Sequence, residues 1–215
     1  MPIIFGLVLI FVIWFQYQKR KTNKLEKEET EAFLKRETQA NLTRKQDISK
    51  LEYIVLPTTG LPLTKSTNET QNQFIETYLS YIDKKIINLS HFSNTELKEL
   101  YGLANLSILS QYDENFFSLA KLLNDWGLYL FESEELLGAS QVLELAILIK
   151  TEIAQSYLTL AMVYAKQECP EKIASLKTTY SSLTDTPSEK ILAQFDKIVF
   201  ESLVESDSSI EEPLF

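Results

Sequence analysis

Two side chains of the types that most often carry out nucleophilic or acid–base chemistry occur once each in this sequence, Cys169 and His91. Cys169 precedes Pro170 at a predicted helix start, a type of position at which reactive cysteines occur. His91 lies in a predicted loop, and the pair does not follow the sequence pattern of a known nucleophile and base. We therefore expect a tolerated cysteine and a surface histidine.

Carboxylates are numerous, but their spacing does not indicate catalysis. Adjacent pairs such as Glu134 and Glu135 are typical of a solvated turn. The sequence contains no Gly-rich phosphate loop and no nucleophile elbow. One cysteine and one histidine cannot form a cluster of soft metal ligands or an intramolecular disulfide. The expected protein is not an enzyme, and it uses no metal, no cofactor and no small-molecule substrate.

The charge is distributed unevenly along the 215 residues. Residues 1–50 contain ten Lys and Arg against six Asp and Glu, a balance of +4. The remaining residues contain eleven against twenty-four, a balance of −13. An acidic domain repels phosphate backbones, so we expect no nucleic acid among the partners. Five glycines and six prolines suit helices better than a sheet with many tight turns.

Residues 1–17 are almost entirely apolar and carry no charged side chain. A helix from Pro2 to Tyr17 is about 24 Å long, and snorkelling of flanking basic side chains would extend it toward the roughly 30 Å of a hydrocarbon core. We expect a single transmembrane anchor with the amino terminus outside and the rest of the chain in the cytoplasm, because the basic residues follow the run. The predicted membrane-surface residues are Lys19, Arg20, Lys21 and Lys24.

The next two segments, residues 18–49 and 50–66, differ in amino-acid composition. Residues 18–49 interleave Glu and Lys among strong helix formers, which predicts a charged helical stalk, with a dimeric coiled coil as the alternative. Residues 50–66 contain β-branched residues, two prolines and a glycine, which predict an extended segment at a domain boundary. An apolar extended segment without a partner strand must pack against the helical domain.

Residues 67–205 are predicted to form one all-α domain. Ser93 and Glu96 form a capping box for a helix over residues 94–110, which is apolar on nearly every side and holds Asn105 as a buried hydrogen-bonding residue. Asp113 is predicted to cap a further helix that ends near Glu132. Residues 206–215 are acidic and predicted to be a disordered tail.

The middle of this domain repeats at an interval of about 34 residues. Small residues, Gly127, Ala139 and Ala161, are placed where two helix backbones would approach closely. Large residues fill the space between the helices. The first copy contains Leu123, Trp126, Gly127, Leu130, Ala139, Leu143 and Ala146, and the second contains Tyr157, Leu160, Ala161 and Tyr164.

These positions resemble the tetratricopeptide repeat, W-x2-L-G-x2-Y followed by A-x3-F-x2-A and P, over residues 120–181. Leu130, Leu143 and Thr151 replace the tyrosine, phenylalanine and proline in the first copy. The second helix of the second copy departs further, with Ile173, Lys177 and Tyr180 at the Ala, Phe and Ala positions. The resemblance implies antiparallel helical hairpins stacked in one domain, and an irregular helical bundle is the alternative.

The resemblance also implies a concave wall lined from the first helix of each pair. Its candidate protein-binding residues are Lys121, Asn124, Leu128, Phe131, Gln155, Leu158 and Met162. The wall is largely apolar, since Leu158 and Met162 replace the polar clamp that some tetratricopeptide proteins use. It binds an apolar or amphipathic segment of another protein, or it is covered by this chain's own residues 53–63.

The function expected from the sequence is a membrane-anchored scaffold or adaptor that mediates protein–protein interaction at the cytoplasmic face of a membrane. The alternative is a structural subunit packed inside a larger membrane assembly, without a free binding groove. Its partners would be unidentified proteins, together with the membrane through residues 1–17.

Overall fold

The computed structural model of this protein describes residues 2–183 and 187–208. These residues form helices and contain no strand, which confirms the all-α class. Residues 209–215 of the predicted tail lie outside the described residues. The helices are α1 Pro2–Asn41, α2 Glu69–Leu79, α3 Asn94–Tyr101, α4 Leu103–Glu132, α5 Leu136–Leu148, α6 Ala154–Lys166, α7 Pro170–Ser181 and α8 Glu189–Ser208.

The chain divides into two compact units. The first unit combines Met1–Leu51 with Ser90–Ser110, so it contains α1, α3 and the beginning of α4. The second unit combines Glu52–Leu89 with Gln111–Phe215 and contains the remaining helices. Each unit is described by itself below.

The predicted transmembrane anchor over residues 1–17 is wrong. Over the residues that the structure describes, none of the helices is long and apolar enough to cross a membrane. The predicted single-pass localisation, with the amino terminus outside and the remaining chain in the cytoplasm, is wrong for the same reason.

In the first unit, polar side chains join α1 to α3. The guanidinium of Arg36 donates through Nε and Nη2 to both carboxylate oxygens of Glu99, at 2.8 and 2.6 Å. One helical turn of α1 holds both contacts, because the adjacent Glu37 accepts from Thr95 at 2.7 Å and pairs with Lys98. Bidentate pairs of this kind fix the geometry of a helix contact as well as its energy.

The predicted helix over residues 94–110 is interrupted at Gly102. Ser93 and Glu96 do form the predicted capping box at its start. Gly102 then adopts a φ of +83°, which ends α3 and starts α4 in a new direction. Asn105 is buried, as predicted, and its amide nitrogen donates to the carbonyls of Gln46 and Tyr101, both at 2.7 Å. The loop after α1 is therefore tied to the break between the helices.

The acid sensitivity of the first unit follows from Glu37. Its pKa is lowered from the usual 4.5 by the hydrogen bond from Lys98 and then by that from Thr95. A carboxylate with a lowered folded-state pKa adds stability above its unfolded pKa, and that stability is lost as the pH falls through the folded value. We expect the α3 helix of the wild-type protein to lose thermal stability as the pH falls below about 4.5.

The Glu37→Gln variant isolates this effect, since an amide does not titrate there. Its stability should be lower at neutral pH and fall less steeply in acid. Circular dichroism melts and amide exchange protection of α3, followed against pH, provide the measurement. Parallel pH profiles for the two proteins would contradict the assignment.

In the second unit, α5 packs against α6, and α6 packs against α7 and α8. Trp126 of α4 is fully buried and stacks on Phe74 of α2, with ring centroids 6.4 Å apart. Gly127 lets α5 approach α4, because a Cβ there would lie 2.5 Å from Leu143. Asp113, predicted as a cap, lies inside α4 and accepts from the Leu89 amide.

Residues 52–65, here called the strap, form neither helix nor strand, bend at residues 58–61 and pack against the core of the second unit. Leu56 is buried, and the Pro57 carbonyl accepts a 2.8 Å hydrogen bond from the hydroxyl of Tyr78. Pro62 lies against Gly138 of α5, 3.4 Å from the position of an added Cβ. The strap therefore packs on the helical core, as an apolar extended segment must.

Neighbouring residues of the strap provide a matched pair of variants. Leu56 is 7% exposed and Val55 is 88% exposed. Leu56→Ala should lower the free energy of unfolding by about 2 kcal/mol and increase binding of the dye ANS, because a buried contact is lost. Val55→Ala should change neither measurement. Deletion of residues 51–63 should increase dye binding further, and equal behaviour of the two point variants would refute the packing role of the strap.

Candidate functional site

The turns that join α4 to α5, α5 to α6 and α6 to α7 share one geometry. Glu134, Lys150 and Glu168 have left-handed backbone angles, with φ of 60°, 61° and 57°. The amide after each of them donates to a carbonyl five residues earlier, at 2.9, 3.1 and 3.0 Å. Such a residue reverses the chain at a helix end.

Three residues of α7 depart from the tetratricopeptide pattern, and each of them makes a tertiary contact or is buried. Ile173 is fully buried in α7. Tyr180 packs between Tyr157 and Phe195, with ring centroids 5.4 and 6.0 Å away. Lys177 forms an ion pair of 2.5 Å with Asp196 of α8. The departures therefore attach α8 to the second hairpin.

The candidate wall residues lie on two neighbouring helices, α4 and α6. The hydroxyl of Ser156 donates to Asn124 at 3.0 Å, and the ammonium of Lys166 lies 5.1 Å from the ring centroid of Phe131. Leu128, Phe131 and Met162 are half-buried, whereas Leu158 is buried at 8% exposure. The surface offered there is thus made of three apolar side chains, and Leu158 belongs to the core.

The polar members of the candidate wall are held by neighbours on their own helices. The exposed Lys121 pairs with Asp125 at 2.6 Å. Gln155, also exposed, donates to the hydroxyl of Thr159 at 3.0 Å. These contacts orient the ammonium of Lys121 and the amide of Gln155 before any ligand binds.

A cavity of about 300 Å³ opens between α5 and α7, above α6. None of the candidate wall residues lines it. Its lining combines three aliphatic, two charged and three hydroxyl-bearing side chains. The lining consists of Glu144, Ile147, Leu160, Tyr164, Lys172, Ser175, Leu176 and Thr179.

Tyr164 links the two charged edges of this cavity. Its hydroxyl donates to Glu144 Oε1 at 2.8 Å, and the ammonium of Lys172 lies 4.9 Å from its ring centroid. Burial, followed by the hydrogen bond to Glu144, raises the pKa of Tyr164. The hydroxyl therefore stays protonated at neutral pH and keeps donating to the carboxylate.

Large apolar side chains flank the cavity along the outer stripe of α5. Leu137 is 70% exposed and Leu148 is 76% exposed. Burying side chains of this kind is worth about 1.5–3 kcal/mol each, so a partner that covered both would gain from the contact. One signal in the sequence pointed here: residues 136–149 are apolar on more sides than one core face requires.

The other side chains considered for nucleophilic or acid–base chemistry do not lie together in one site. Cys169 is half-buried at the start of α7, where its thiol lies 3.4 Å from the Gln167 carbonyl. His91, Glu134 and Glu135 are exposed. Among the described residues, no group of three His, Cys, Asp or Glu side chains is placed to hold a metal ion.

The first unit has a cavity of its own and the predicted membrane-surface residues. The cavity measures about 300 Å³ and lies beside the Arg36–Glu99 pair, with Phe92, Glu96 and Leu100 in its wall. The basic residues are exposed on α1, and one of them pairs with Glu28 at 3.8 Å. They are Lys19, Arg20, Lys21 and Lys24.

Comparison with models of known protein families, with curated protein sequences and with solved structures finds no match for this chain.

Proposed function

We propose that the second unit is a scaffold that binds another protein and has no catalytic role. The observation that supports this most directly is the run of consecutive helices α4 to α7, joined by three short turns of one geometry. Hairpins that stack in this way present long continuous faces, which is how helical repeat proteins bind their partners. Tetratricopeptide repeats, which the sequence resembles, are the model for this binding function, and the membrane anchor is no part of it.

The candidate wall is the first face on which this binding is expected. Phe131 and Met162 each leave part of an apolar side chain accessible, on helices that lie side by side. Polar residues surround them, as in the rim of a protein interface. The exposed surface is therefore suited to a polypeptide with a few apolar anchors.

Site-specific photo-crosslinking in intact cells tests the scaffold. A photoreactive residue at Phe131, Met162 or Leu148 should yield a discrete adduct with a second protein. The same photoreactive residue at the exposed Asp83, which lies outside the candidate wall and outside the cavity between α5 and α7, is the control. If the adduct yield at all three positions were no higher than at Asp83, the scaffold function would be excluded.

A second candidate function is a subunit packed permanently within a larger assembly. Exposed apolar side chains in the first unit favour it, because a free protein seldom leaves so many in water. Purification of the full chain separates the two candidates: a monodisperse protein supports the scaffold, and aggregation that co-purified subunits prevent supports the assembly. These side chains are Phe33, Leu34, Phe92, Leu100, Leu103 and Ile108.

A further inference from the structure

We infer that the groove between α5 and α7 binds one amphipathic helix of a partner protein, with an apolar side chain in the cavity, a basic residue facing Glu144 and an acidic residue facing Lys172. This inference rests on the proposed scaffold function and specifies the chemistry of its partner. Four features of the groove carry it.

The first feature is a pair of exposed leucines near the two ends of α5. Leu137 and Leu148 are eleven positions apart, which places them about 16 Å apart on nearly the same side of the helix. Gln141 and Glu144 lie between them on that side. A helix lying along α5 would contact the two leucines through apolar anchors about three turns apart, with polar side chains between those anchors.

The second feature is the cavity itself. At about 300 Å³ it is at the lower end of the range for a small-molecule pocket. It has room for one or two large side chains, and its floor, formed by Leu160 and Leu176, matches an aliphatic or aromatic group. An inserted side chain of this kind is a typical anchor of a protein interface.

The third feature is the pair of opposite charges on facing edges. The carboxylate of Glu144 accepts a hydrogen bond from Tyr164 at Oε1 and is otherwise exposed. Lys172 lies on the facing helix, over the same ring. A bound helix whose flanks carry a basic and an acidic residue satisfies both edges in one orientation only. The balance of −13 over residues 51–215 adds a general attraction for a basic partner.

The fourth feature is the absence of a free backbone edge. Helices α5 and α7 satisfy their main-chain groups internally, so an extended peptide would find no ladder to join. The strap does not supply the occupant, because Pro62 packs at Gly138 and the cavity lining contains no strap residue. A helical ligand carries its own hydrogen bonds and needs only side-chain contacts.

Peptide display on the purified full chain tests the inference. The probe is a library of random peptides of about 15 residues, four helical turns. Enriched peptides should show apolar residues at helical spacing with a basic flank and an acidic flank. Binding, measured by fluorescence anisotropy, should fall at least about tenfold for Leu148→Asp and for Glu144→Lys.

Two further variants make the result decisive. Phe117→Asp alters a residue of α4 that is 67% exposed and outside the groove, and it should leave binding unchanged. The double variant Glu144→Lys with Lys172→Glu should prefer peptides whose charged flanks are exchanged. Circular dichroism confirms that each variant is folded, which is expected because these side chains are at the surface.

Three outcomes overturn the inference. The first is that no peptide is enriched, or that enriched peptides bind the groove variants as well as the wild type. The second is a dimer in light scattering that Leu148→Asp dissolves, because the occupant is then a second copy. The third is a crosslink from Phe131 or Met162 without one from Leu148: the scaffold then stands and the groove assignment falls.

Discussion

Gly102→Ala should lower the free energy of unfolding of the first unit by about 3 kcal/mol or more. The φ of +83° belongs to a region that side chains rarely adopt, and a Cβ would lie 2.6 Å from the carbonyl oxygen of Arg44. That neighbour is backbone, held where the Gln46 amide donates to the Tyr101 carbonyl, so it cannot rotate away. The variant should push the loop at residues 44–46 away from Gly102, where α3 ends and α4 begins.

Hydrogen exchange of the amides in α3 and in the loop at residues 44–46 measures this loss. Gly60→Ala is the matched control, because Gly60 has a φ of +80° but nothing within 4 Å of an added Cβ. It should show only the backbone cost of about 1 kcal/mol. If both variants lost the same protection, the close contact with Arg44 would be irrelevant.

Gly127→Leu should destabilise the second unit by about 3 kcal/mol or more. An added Cβ would already be 2.5 Å from Cγ and Cδ2 of Leu143, which is fully buried and has no space to move into. The leucine would therefore push α5 away from α4. Thermal unfolding followed by circular dichroism measures the change, and the double variant with Leu143→Ala should recover part of the loss.

Alanine at two glycines of the same hairpin gives opposite signs. At Gly138 the nearest atom to an added Cβ is 3.4 Å away, so Gly138→Ala should stabilise the protein by about 0.5–1 kcal/mol through helix propensity. Gly127→Ala should destabilise it despite the same gain. Stabilisation by both substitutions would show that the helices do not approach closely at Gly127.

These glycines illustrate which parts of the fold could be predicted. Gly127 lies in a repeat of small and large residues, so its role in a close helix contact was readable from spacing. Gly102 lies in a stretch that is apolar on all sides, and that pattern predicted a continuous helix. Glycine is the local signal for the break, because it adopts a positive φ readily, but the apolar pattern around it outweighed that signal. The contact with the Arg44 carbonyl, 58 positions earlier in the chain, could not be read from local sequence.

The candidate site divides in the same way. The resemblance to the tetratricopeptide repeat assigned Asn124, Phe131 and Met162 to one wall, and α4 and α6 are in contact there. The burial of Leu158 depends on the packing of the core around it, which the spacing within α6 does not report. The cavity between α5 and α7 requires the distance between two helices that are not consecutive. Its rim was therefore not predicted.

The amino-acid sequence alone determined the helical class, the capping box at Ser93 and the interruption of helix in the strap, because each follows from the residue types of near neighbours in the chain. The tertiary structure alone decided the close contact of Gly102 with Arg44, the two compact units, the attachment of α8 through Tyr180, and the charged groove at Glu144. Each of these depends on groups that are distant in sequence, and packing brings them within contact distance only when the whole unit has folded.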